Sequence, residues 1–160
     1  MDFEIRKTSS DTLDIAYTLT RELMEHHNAL DIFAMTSERM GELIESGQLH
    51  SYIIYNGNEP AAVMNFFFKL TTFTGRKILY IEDFYARKEF RGKGTGTFML
   101  EKAKEIAAEN DCEQIELKCA SWNKASAGFY EAKGLNPENS WITYTMNRDF
   151  FVNTERSVRK

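Results

Sequence analysis

The chain has 160 residues and a formal net charge of −4. It is 42% apolar and 28% charged, the balance of a globular domain and not of a disordered or collagen-like chain. A domain of this length buries about 68–70% of its unfolded surface and needs no covalent staple, and the acidic balance leaves no global basic field for nucleic acid.

The two cysteines, Cys112 and Cys119, are too few for a secreted disulfide scaffold and fit a reduced, cytoplasmic setting. No apolar run is long enough to span a bilayer. The opening residues MDFEIRKTSSDTLD lack the apolar core of a signal peptide. A cytoplasmic protein with no membrane partner is expected.

FEIRK (3–7) alternates and predicts a short strand. Ser9, Ser10 and Asp11 offer cap oxygens for a helix whose apolar stripe is Leu13, Ala16, Tyr17, Leu19, Leu23 and Met24. A second helix starts after Thr36 or Ser37, buries Met40, Leu43 and Ile44, and ends at Gly47. Strand SYIIY (51–55) turns through NGNEP into strand AAVMNFFFKL (61–70), because Asn-Gly between apolar runs signals a hairpin. TFTGRK connects to strand ILYIEDFYA (78–86), completing an antiparallel meander.

The pattern then changes. RGKGTG leads into a helix with Met99, Ala103, Ile106 and Ala107 at helical spacing. Strand EQIELKC (113–119) follows, then a helix over 123–133 capped by Asn123 and closed by Gly134. WITYTMN (141–147) predicts a closing strand. This order makes an α/β protein with a mixed sheet and helices on its faces. Residues 1–147 read as one domain, and 148–160 as a solvated C-terminal tail or a dimer contact.

The strongest local signal is Arg91-Gly92-Lys93-Gly94-Thr95-Gly96, between a strand and a helix. Glycines admit close approach of a ligand, and a helix start presents free N–H groups and a positive dipole end. That suits a pyrophosphate, with Arg91 and Lys93 adding charge. The plain alternative is a tight strand–helix turn. A dinucleotide fingerprint fails, because Thr97 stands three residues after Gly94, and the P-loop spacing is absent.

The loop resembles the acyl-CoA loop of the GNAT acyltransferase superfamily, R/Q-x-x-G-x-G/A, matched by Arg91, Gly94 and Gly96. LYIEDFYARKEFRGKGTG (79–96) and WNKASAGFYEAKG (122–134) resemble its spermidine/spermine and thialysine N-acetyltransferase branch. The resemblance implies the GNAT fold, a central mixed, mostly antiparallel sheet of about six to seven strands flanked by four helices. It implies acetyl-CoA as co-substrate, bound by the backbone of Phe84, Tyr85 and Ala86, by the 91–96 loop, and near Asn123 and Tyr130. It assigns Glu82 as general base and Tyr130 as the group beside the CoA sulfur. It also implies a homodimer.

The chemistry agrees with those roles. An alkylamine is protonated at neutral pH, with a pKa of about 10.4 for a lysine-like group. It must shed a proton to attack a thioester, and a carboxylate such as Glu82 accepts one, through water. Asp83 should point the opposite way, since strand side chains alternate, so the two make no catalytic pair. A bulge in strand 78–86 would free N–H donors for the developing oxyanion. A phenol of pKa about 10 protonates a thiolate of about 8.5 only uphill, by roughly 2 kcal/mol, so Tyr130 acts as a late hydrogen-bond donor.

Plain readings stand beside these. Glu82 can be a surface carboxylate, Tyr130 a core aromatic beside Phe129, and Asn123 only a helix cap. His26 and His27 have no spaced partner, so no metal site is expected. Glu25, His27 and Asp31 edge the acceptor pocket in the functional reading, where the resembling enzymes carry acidic residues. The expected reaction moves an acetyl group from acetyl-CoA to a small-molecule primary amine, a polyamine, diamine or amino-acid-like acceptor, in a ternary complex. The alternatives are a protein or peptide N-acetyltransferase and a CoA-binding sensor without turnover.

Overall fold

Five strands form one sheet in the order β1-β2-β3-β4-β5: β1 Phe3–Lys7, β2 His50–Asn56, β3 Glu59–Leu70, β4 Lys77–Ala86 and β5 Cys112–Leu117. The helices are α1 Leu13–His26, α2 Ser37–Glu45, α3 Thr95–Glu109, α4 Lys124–Ala132 and a short α5 Arg148–Val152. The computed structural model describes residues 1–152. The chain divides into two compact units, Met1–Lys118 and Cys119–Lys160.

In the first unit, β1 through β4 pair antiparallel and β5 joins β4 in parallel. The parallel step needs a crossover, which α3 supplies. Strand alternation splits the sheet into two faces. Ile53, Tyr55 and Val63 pack with Ala16 and Leu19 of α1 and Met40 of α2. On the other face the Phe3 ring meets Phe98 of α3, with centroids 5.8 Å apart. Ile5 shares that face with Phe3 and pairs with Ile54, which places Ile54 on the α3 side. Met99, Leu100 and Ala103 of α3 are fully buried.

The expected elements of the first unit form with shifts of a residue or two at their ends. Strand 113–119 closes early, at Leu117, so Cys119 lies outside it. Both cysteines are free.

The second unit corrects the sixth strand. Residues 141–147 carry no regular structure, and Trp141 and Tyr144 are 74% and 89% exposed. Alternation says which faces a strand would show, but a strand forms only against a partner's backbone. WITYTMN has no such ladder among the described residues. The sheet therefore has five strands, below the six to seven expected. The tail opens with α5; its expected solvated end, from 153 on, lies outside the described residues. No described helix is long and apolar enough to cross a membrane.

Candidate active site

The site begins where β4 loses one of its two neighbours. β3 pairs with β4 from Leu70↔Lys77 to Ala62↔Ala86. β5 pairs with it only from Lys77 to Ile81. Beyond Ile81 no strand among the described residues pairs with the second backbone edge of β4. Phe84, Tyr85 and Ala86 lie on that open stretch, where an extended ligand arm can add main-chain hydrogen bonds.

A bulge sits at the same point. Phe66 opposes Ile81 and Asn65 opposes Asp83, which leaves Glu82 as the extra residue. Bulges disrupt the local ladder and re-aim side chains. Glu82 is exposed, whereas Asp83 is only 9% exposed. The alternation expectation is corrected in its reason. Tyr80 and Asp83, three residues apart, share the α1/α2 face because the bulge breaks the period between them.

Asp83 belongs to a buried polar chain. The Asn65 amide nitrogen donates to Asp83 Oδ2 and to Thr20 Oγ1, both at 2.8 Å. The Thr20 hydroxyl donates onward to the Ala16 carbonyl at 2.9 Å. Burial pushes the Asp83 carboxyl up to about 6, against the lowering effect of the Asn65 hydrogen bond, with the Glu82 charge adding to the rise. Asn65 Oδ1 is buried without a hydrogen-bond partner.

The glycine loop follows a short 3-10 turn, Lys88–Phe90. Gly94 is the cap residue of α3 and stands at φ +93°, a left-handed conformation that suits glycine. No side chain caps α3, so the first N–H groups, at Thr95 and Gly96, remain available to an anion. Thr95 turns inward and its hydroxyl donates to the Phe90 carbonyl at 2.7 Å. Gly92 (φ +69°) and Lys93 complete an exposed loop. Arg91 folds back: its Nε donates to the Ala86 carbonyl at 2.8 Å and its guanidinium lies 5.5 Å from the Tyr85 ring centre. One expected ligand contact, the Ala86 carbonyl, is therefore already engaged by another, Arg91.

The last turns of α1 lie beside this end of β4. Burial, then the charges of Arg91 and His27, hold the His26 imidazole below its usual range. Glu25, His27 and Asp31 are all exposed, on the final turn of α1, at its C-cap and in the following turn. Two residues the sequence reading missed tie the region together. Arg87, just past β4, makes a two-point contact with Glu22 of α1 and donates to the Pro60 carbonyl at 2.9 Å. A Glu and an Arg 65 positions apart leave no local signal.

In the second unit, the Asn123 side chain caps α4 by accepting the Ser126 N–H at 3.1 Å. Tyr130 makes an edge contact with the Phe129 ring, centroids 5.4 Å apart. Burial, then the neighbouring Cys119, pushes its phenol up to about 12. That widens its gap to a thiol of pKa about 8.5 to roughly 5 kcal/mol, so Tyr130 remains a protonated hydrogen-bond donor. No group of three or more His, Cys, Asp or Glu suited to a metal occurs among the described residues.

An open strand edge, a bulge and an uncapped glycine-led helix thus follow one another from β4 into α3. The chain belongs to the acetyltransferase (GNAT) family, whose model matches residues 16–135. By class it is an acyl-CoA-dependent N-acetyltransferase. It is 27% identical over 149 residues to thialysine N-epsilon-acetyltransferase of Caenorhabditis elegans, covering 91% of this chain and 92% of that one. It is 26% identical over 162 residues to spermidine/spermine N(1)-acetyltransferase-like protein 1 of Homo sapiens. That match covers 92% of this chain but 23% of the human protein. A solved aminoglycoside acetyltransferase from a soil metagenomic sample shares the fold, with a TM-score of 0.78 at 12% identity over 91% of this chain and 95% of that one.

Proposed function

We propose that this protein transfers an acetyl group from acetyl-CoA to a small-molecule primary amine by direct attack in a ternary complex. The observation that carries the reading is the free edge of β4 beyond Ile81, followed by the uncapped start of α3. That combination fits a long ligand with an extended amide arm and a pyrophosphate. The arm would run along Phe84, Tyr85 and Ala86. The pyrophosphate would take the N–H groups of the 92–96 loop, with Lys93 and a re-aimed Arg91 adding charge.

Bound acetyl-CoA would supply an activated thioester; the chain's own residues do the rest. Glu82, exposed on the bulge, receives the proton the amine must lose, through water. N–H groups freed by the bulge hold the carbonyl oxygen as it gains charge. The phenol of Tyr130 donates to the departing sulfur, and Asn123 orders the start of the helix that carries it. Glu25, His27, Asp31 and Glu82 edge the acceptor site, and the three carboxylates among them suit a polyamine, diamine or amino-acid-like amine. In this reading residues 1–147 work as one catalytic domain with a tail at 148–160. The protein acts in the cytoplasm as a homodimer, with no nucleic-acid or membrane partner.

The test is acetyl-CoA turnover on a panel of diamines, polyamines, lysine analogues and peptides, read by mass spectrometry. Acetylation of one small-amine class establishes the acceptor. Acetylation of peptides alone makes it a protein-modifying enzyme. Binding of acetyl-CoA with no product on the whole panel makes it a sensor.

A further inference from the structure

Asp83 is a charge in an expensive place. It directly follows the bulge residue Glu82, stands opposite Asn65 of β3, and is 9% exposed. A buried carboxylate without an ion-pair partner is costly, and such groups persist where function uses the charge. Burial disfavours the charge, and the Asn65 hydrogen bond opposes that effect by favouring the ionised form. From β3, Asn65 points its N–H at Asp83 Oδ2 and leaves its own oxygen orphaned, although the residue is fully buried. From α1, Thr20 accepts the second Asn65 N–H, which fixes the amide in that orientation. From β4 itself, the charged group acting on Asp83 is Glu82. Turned over, the Asn65 amide would aim its oxygen at a carboxylate, so the orphaned oxygen is the cost of donating to Asp83.

We propose that Asp83 is a positioning residue for acetyl transfer: the Thr20–Asn65–Asp83 chain holds an ionised carboxylate beside the Glu82 bulge, and its charge draws the cationic amine into place. The proposal rests on the reading above, that the acceptor is an amine delivered to Glu82. Asp83 takes up no proton from the amine and touches none of the reacting atoms. It acts through the field it adds at the bulge. The amine nitrogen turns positive as its bond to the acyl carbon forms, so a fixed negative charge nearby favours that step as well as binding.

The experiment compares wild type with Asp83→Asn on the best amine of the panel, across pH, with acetyl-CoA saturating. Asn keeps the shape and the acceptor for Asn65 but carries no charge. The expected ratio of wild-type to Asp83→Asn kcat/KM for the amine is about tenfold at about pH 8 and falls toward unity at about pH 5, with its midpoint where Asp83 titrates, about 6. Taking a ratio cancels the ionisation of the free amine, which is the same for both enzymes. Asn65→Ala, which removes the hydrogen bond favouring the ionised form, moves that midpoint to higher pH. The KM for acetyl-CoA stays within about twofold in Asp83→Asn. A ratio near unity at all pH values overturns the proposal, as does a ratio that does not change with pH. Asp83→Ser, equally uncharged, repeats the test if Asp83→Asn does not fold. Full activity in Glu82→Gln would instead refute the general-base reading and leave the Asp83 ratio to be read by itself.

Discussion

Arg87 grips Glu22 at two points, Nη2 to Oε1 at 2.7 Å and Nε to Oε2 at 2.9 Å. Its remaining arm, Nη1, donates to the Pro60 carbonyl at 2.9 Å, and its own N–H donates to the Ala61 carbonyl at 3.0 Å. One guanidinium thus joins α1 to β3 just past the open edge of β4. The planar fork of arginine suits the job, because lysine offers a point charge and cannot serve two acceptors in fixed directions.

Loss of this clamp should cost stability. The two side chains are 25% and 28% exposed, between a surface pair and a buried one. Arg87→Ala is expected to lower unfolding free energy by about 1–3 kcal/mol, and Arg87→Lys to recover less than half of that. Urea titration measures both. A loss under about 0.5 kcal/mol would show that solvent already satisfies Glu22.

Glu82→Gln removes the proton acceptor and keeps the shape. A general base contributes about 10²–10⁴-fold, so kcat should drop at least a hundredfold with little change in acetyl-CoA KM. Steady-state kinetics decides. A drop of only a few-fold would make Glu82 a surface carboxylate.

Tyr130→Phe deletes the donor to the departing sulfur and is expected to lower kcat about tenfold or more. The phenol at about 12 also sets a sign. A tyrosine raised in the folded state contributes stability that is complete below its unfolded value near 10 and is lost as pH climbs through about 12. No limb of the kcat profile below about pH 10 should come from Tyr130. Ultraviolet difference titration of wild type against Tyr130→Phe checks the value.

Gly94→Ala tests the loop through conformation. A Cβ at this position meets open space, but φ is +93°. The left-handed geometry costs an alanine about 1–2 kcal/mol. A raised acetyl-CoA KM with a modest fall in melting temperature is the expected pair of results. An unchanged KM would remove the loop from the cofactor site.

Asp83 gives a pH test of stability. Its carboxyl is raised from 3.8 to about 6, so the folded state favours the protonated form. The stability gained from this is complete below about 4 and is lost as pH rises through about 6, roughly 3 kcal/mol in all. Asp83→Asn should therefore be more stable than wild type at about pH 8, with the gap closing toward about pH 4. Thermal melts at several pH values read it. A variant less stable at high pH would show the charge to be compensated by the fold.

The glycine loop was legible because its signal is local: Arg91, Gly94 and Gly96 lie within six consecutive residues and Gly94 needs no distant partner to cap α3. Asn123 was legible for the same reason, as a cap two turns before Tyr130. The run 141–147 misled because its alternation is a property of one segment, and pairing is a property of two. Asp83 misled in its reason, since alternation counted across 82 and 83 assumes an unbroken ladder.

What the sequence by itself determined is strands β1 to β5 and helices α1 to α4, the antiparallel meander of β2, β3 and β4, and the glycine-led start of α3. Each follows from periodicity or from backbone freedom within about a dozen residues. Only the tertiary structure decided where β5 leaves β4, which residue bulges, and that Thr20, Asn65 and Asp83 meet beside Glu82. Those depend on register between segments tens of residues apart. Register is fixed by how whole faces bury against α1, α2 and α3, and no short stretch of sequence carries that information.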